Sequence, residues 1–112
     1  MGDLIKWPFG AAQVQSPADA ANIAVTITNQ FTIVKASLAG NRTLDLTIDS
    51  QVTPGAILVV LATSDGTARN LTLGTGIDGP VIAGVISKTN SQAFFLDNDG
   101  VFKPMGAFAQ VN

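Results

Sequence analysis

The clearest pattern in the chain runs from Thr43 to Asp49. Leu44, Leu46 and Ile48 fall on one side, and Asp45, Thr47 and Asp49 on the other. A period of two predicts a strand with one face buried and one face wet. Ile23 to Thr28 alternates in the same way, with Ile23, Val25 and Ile27 against Ala24, Thr26 and Thr28. Phe31 to Leu38 resumes with Phe31 and Ile33, then slips register near Val34-Lys35, which predicts a bulge. Ala39 to Arg42 is a turn between two such runs.

The stretch Gln51 to Leu73 organises the rest of the chain. Pro54-Gly55 opens it as a turn pair, and Ala56 to Ala62 is an unbroken apolar run of the kind that forms a buried strand. Asp65-Gly66 comes next, then the alternating run Arg69 to Leu73. Two β-type runs around Asp-Gly predict a central hairpin. Thr75 to Pro80 is a glycine-rich loop, and Val81 to Ser87 a buried-type strand containing Gly84. Thr89-Asn90-Ser91 reads as a turn. Gln92 to Leu96 and Val101 to Lys103 form a last hairpin around Asp97-Asn98-Asp99-Gly100, and Ala107 to Val111 adds a short edge strand.

About eight short strands with almost no helix predict an all-β domain: an antiparallel β-sandwich, jelly roll or small barrel. Residues 1–22 read differently. Leu4, Ile5, Trp7 and Phe9 are apolar without a period, and Pro8 and Gly10 break structure. This predicts an extended N-terminal arm whose large side chains anchor it to its own domain, another subunit or another protein. Ser16-Pro17-Ala18-Asp19 has the pattern of a helix start, with Ser at the N-cap and Pro at the first helical position. The division is an arm over 1–22 and a β-domain over 23–112.

Composition narrows the picture. Charged residues are 12% of the 112, about half the usual share, while apolar residues are 46%. Either Thr, Asn, Ser and Gln cover the surface, or part of it lies against other subunits. Few Lys remain to guard sheet edges, a hazard that assembly removes. Net charge is −2, and Lys6, Lys35, Arg42, Arg69, Lys88 and Lys103 are scattered singly, which argues against nucleic acid and anionic membrane as partners. No apolar run approaches the roughly 18 residues of a membrane helix. Asp3 and Trp7-Pro8 do not suit a secretory signal, and Lys6 stands where a myristoylation start needs Ser or Thr.

The chemistry is sparse. Cys, His, Tyr and Glu are absent, so disulfides and thiolate metal sites are excluded and acid–base work falls to Asp or Lys. Asp45 and Asp49 share a strand face but stand roughly 13 Å apart, too far for a glycosidase pair. Gly74 to Gly79 matches G-x-G-x-x-G, yet Pro80 and a β-type run come next where a dinucleotide site needs a helix. Asp97 to Gly100 lacks the further ligands of a calcium loop. Asn41-Arg42-Thr43 and Asn70-Leu71-Thr72 fit the glycosylation triplet, which is frequent by chance in an Asn- and Thr-rich chain. No catalytic residue, cofactor or metal is assigned. Phe94 and Phe95 are adjacent, so one faces the core and the other the opposite side, as an interface candidate.

Several segments carry a resemblance: Thr26-Ile27-Thr28-Asn29 with Phe31-Thr32-Ile33, LTIDSQVTPGAILVV, TSDGTARNLTLGTGI, AGVISKT and FFLDNDGVF. From about Ile23 to Phe102 the chain resembles the small β-rich structural proteins of tailed bacteriophage virions, of the head decoration or head-fibre type. The resemblance implies a non-enzymatic virion component, assembled in the host cytoplasm. It implies a homotrimer that docks through its N-terminal arm, with Leu4, Ile5, Trp7 and Phe9 as anchors, onto other virion proteins such as the major capsid protein. Two other readings fit the same residues: a carbohydrate- or receptor-binding β-module, and a tail or baseplate component.

Overall fold

The computed structural model describes residues 13–112. The anchors Leu4, Ile5, Trp7 and Phe9 lie outside the described residues. Among the described residues nine strands occur in order: β1 (Gln13–Gln15), β2 (Asn22–Ile27), β3 (Phe31–Leu38), β4 (Arg42–Ile48), β5 (Ile57–Ser64), β6 (Asn70–Leu73), β7 (Ile82–Ala83), β8 (Thr89–Leu96) and β9 (Phe102–Gln110). No helix occurs among the described residues. Residues 16–20 carry no regular structure, so the predicted helix start is corrected. Asp19 instead accepts hydrogen bonds from the Arg42 guanidinium at 2.8 and 2.7 Å.

The strands form a five-stranded sheet, β1-β3-β5-β8-β9, and a four-stranded sheet, β2-β4-β6-β7. The expected antiparallel order is corrected. The pairs β1–β3, β3–β5, β2–β4 and β4–β6 are parallel, and only β5–β8, β6–β7 and β8–β9 are antiparallel. The cause lies in the connections. From β1 to β6 each strand lies in the sheet opposite its predecessor's, so strands two apart in sequence become neighbours. A parallel pair needs a long crossover. Here the crossover is the intervening strand in the other layer.

The Asp65-Gly66 hairpin is corrected for the same reason. β5 and β6 lie in different sheets. Asp65 Oδ1 accepts the Thr67 N–H at 3.0 Å, and Ser64 Oγ accepts the Arg69 N–H at 3.1 Å. These bonds shape residues 65–69 into a bridge between layers. The last hairpin does form, with Leu96 opposite Phe102. β9 then continues past Pro104 to Gln110.

The sheets share one core. Ile23, Val25 and Ile27 of β2, Leu44 and Leu46 of β4 and Leu71 of β6 face Val34, Ala36 and Leu38 of β3, Leu58, Val60 and Ala62 of β5, and Phe94 of β8. β3 runs without the expected bulge. Its inward set is Thr32, Val34, Ala36 and Leu38, so Phe31 and Ile33 point away from the core. Val81 to Ser87 is strand only at Ile82–Ala83, and Val81, Val85 and Ile86 are exposed. The expected turn at Thr89 to Ser91 belongs to β8, where Asn90 and Gln92 are buried. Asn90 Nδ2 donates to the Ala83 carbonyl, and Gln92 Nε2 donates to Ala93 and Gly106 carbonyls. Buried amides are tolerated where such acceptors are supplied.

Candidate assembly surface

The two outer faces differ in kind. On the four-stranded sheet the outward residues are Asn22, Ala24 and Thr26 of β2, Thr43, Asp45 and Thr47 of β4, and Asn70 and Thr72 of β6. They are polar apart from Ala24. Asp45 joins this face to the glycine-rich loop: Oδ1 accepts the Thr75 N–H and Oδ2 accepts Asn22 Nδ2, each at 2.9 Å. The Thr75 N–H and then the Asn22 amide hold the Asp45 carboxyl below the usual carboxylate range. The loop glycines fit this packing. A Cβ at Gly74 would run into Asp45 Oδ1, and Gly76 takes a φ of 78° against the Leu46 carbonyl. That accounts for the G-x-G-x-x-G spelling without a nucleotide.

The outer face of the five-stranded sheet is apolar. Register places its residues in rows. Phe31, Ile57 and Phe95 form one row, ending at Lys103. Val14, Ile33, Val59, Ala93 and Met105 form the next. Lys35, Leu61, Ser91 and Ala109 form the third, and Ser37, Thr63 and Thr89 the fourth. Lys35 and Lys103 are the only charged side chains among the described residues of this face, and they sit at opposite corners of the apolar rows. Lys103 is turned toward the β8–β9 turn, donating to Asp99 Oδ2 at 2.8 Å. Phe94 is fully buried and Phe95 lies outward and half-buried, as the sequence predicted. Val14 and Met105 are 59% and 42% exposed.

Strand by strand the difference is written into the sequence. β4 alternates apolar and polar, the pattern of a strand with one wet face. β5 reads Ile57-Leu58-Val59-Val60-Leu61-Ala62, apolar on both faces, although only one of them meets the core. A strand written this way is suited to cover on both sides. Contiguous exposed apolar patches of several hundred Å² mark interaction surfaces. The apolar run Ala56 to Ala62 carried this signal, but the side facing away from the core needed the register to be seen.

A shallow pocket of about 280 Å³ lies at the ends of β3 and β5, and Asp19 and Asp65 are among its lining residues. Both carboxylates are taken up. Arg42 holds Asp19, and Arg69 holds Asp65 at 2.8 Å, and each arginine keeps its partner's carboxyl below the usual range. Neither is placed to serve as a proton acceptor. Among the described residues no three acidic, His or Cys side chains converge to hold a metal ion. No helix among them is long and apolar enough to cross a membrane.

No protein family, curated protein or solved structure matches the chain.

Proposed function

We propose that the chain is a non-enzymatic structural protein of a tailed bacteriophage virion, a capsid decoration or head-fibre component that assembles as a homotrimer. The observation that carries this reading is the contrast between the outer faces: Thr, Asn and Asp dominate one sheet, and Val, Ile, Leu, Phe and Met dominate three of the four rows on the other. A largely apolar sheet face is costly to leave in water and favourable to cover. The low charge of the chain has the same explanation.

The link to virions rests on the segments that resemble phage structural proteins, from Thr26-Ile27-Thr28-Asn29 to FFLDNDGVF. In this reading the two layers make a β-sandwich, further copies cover its apolar side, and residues 1–22 with Leu4, Ile5, Trp7 and Phe9 dock on the major capsid protein. Immunogold labelling of phage particles with antibody to this chain tests it. Labelled heads are the expected result. Particles without label overturn the virion reading, and label on the tail replaces the head assignment with a tail or baseplate one.

A further inference from the structure

We infer that the outer face of the five-stranded sheet is where copies of this chain meet, each copy turning this face toward the shared axis of the assembly, with Val59 and Leu61 of β5 at the centre of the contact. The inference rests on the proposed assembly and names its surface and its partner, a second copy of the same chain.

The size of the face fits. β1, β3, β5, β8 and β9 hold 3, 8, 8, 8 and 9 residues, and at about 4.8 Å by 3.3 Å per residue they give a plan area of about 570 Å² per copy. Two such faces bury about 1,100 Å², above the roughly 1,000 Å² that a specific interface needs. The chemistry fits as well. The row of Val14, Ile33, Val59, Ala93 and Met105 holds no charge, and the two ions of the face among the described residues, Lys35 and Lys103, stand at row ends. Lys35 and Lys103 lie at the margins, where water reaches them. The central strand β5 and its neighbours β3 and β8 supply Ile33, Ile57, Val59, Leu61, Ala93 and Phe95, side chains that stand on regular strands and need no reordering to pack. Apolar sheet faces of this kind pack with interdigitated side chains. A closed symmetric assembly presents the same patch on every copy, and a patch whose only charges among the described residues are Lys35 and Lys103 offers little to a partner selected by charge.

The test uses the full chain. Val59→Asp together with Leu61→Asp is expected to convert the assembly to a monomer of 11.5 kDa by light scattering, with the β circular dichroism spectrum kept, because neither residue belongs to the core. Thr26→Asp together with Thr47→Asp on the other outer face is expected to leave the mass unchanged. A second measurement does not depend on those variants folding. The chain has no cysteine, so single labels are clean. A spin label at Ala93→Cys is expected to give a distance between copies at least about 15 Å shorter than one at Thr47→Cys, since on each copy the latter lies one sheet spacing of about 10 Å farther from the axis.

If the wild type assembles but the Asp variants keep the wild-type mass, the surface is wrong while the assembly reading stands. Equal label distances also overturn the surface. If the wild type is a monomer, the assembly reading fails and the surface with it.

Discussion

Asn90 in β8 donates from Nδ2 to the backbone carbonyl of Ala83 in β7 at 2.8 Å, so this hydrogen bond joins one sheet to the other. The amide is buried, at 2% exposure, and leads the chain from one layer into the next. Asn90→Ala is expected to lower stability by about 1–3 kcal/mol, from the lost bond and the vacated volume. Urea unfolding measures it, with the midpoint shifted down. An unchanged midpoint would remove Asn90 as a tie between layers.

Thr32 is the opposite case. Its side chain is fully buried, and Oγ1 has no hydrogen-bond partner among the described residues. A lone buried hydroxyl costs roughly 1–3 kcal/mol. Thr32→Val keeps the shape and removes the hydroxyl, so stability is expected to hold or to rise by up to about 2 kcal/mol. Thermal unfolding reads the sign.

Gly84 packs where β7 leaves its sheet. A Cβ there would run into the Arg69 carbonyl oxygen and Ser64 Oγ, the two groups that shape the β5–β6 bridge. Gly84→Ala is expected to destabilise by about 1–3 kcal/mol. Since the site is remote from the apolar rows, the variant is expected to keep the wild-type mass in light scattering.

The ionisable groups set the pH dependence. Asp19, Asp45, Asp65 and Asp99 all titrate below the usual carboxylate range in the folded chain, held by Arg42, the Thr75 N–H, Arg69 and Lys103 respectively. A lowered folded pKa contributes stability above the unfolded value of about 3.9, and that contribution is lost as pH falls through the folded one. Lys103 is raised by Asp99, so its contribution is complete below about 10.4 and lost as pH rises through its folded value. With no His, Cys or Tyr between these limits, the unfolding midpoint is expected to be flat from about pH 5 to 9 and to fall below about pH 4. A slope near pH 6.5 would contradict this.

Local pattern was enough to find most strands and not enough to connect them. Leu44-Asp45-Leu46-Thr47-Ile48 announces its two faces without help from the rest of the chain. Asp65-Gly66 does not announce whether the next strand returns beside β5 or crosses to the other layer. That depends on Ser64 Oγ and Asp65 meeting the backbone of residues 67–69, a matter of three-dimensional geometry. Asn90 reads as a turn residue because its acceptor, the Ala83 carbonyl, lies 7 residues away. The apolar face was partly legible. Ala56 to Ala62 is too apolar for a strand with one wet side, but Ile33, Val59 and Ala93 align only once β3, β5 and β8 are paired.

Whether copies of this chain associate is decided most directly by the mass of the unmodified full chain in solution at micromolar concentration, by light scattering. An assembly is expected, with a trimer at three times 11.5 kDa. A particle of 11.5 kDa that stays monomeric over the whole concentration range would contradict the proposed assembly.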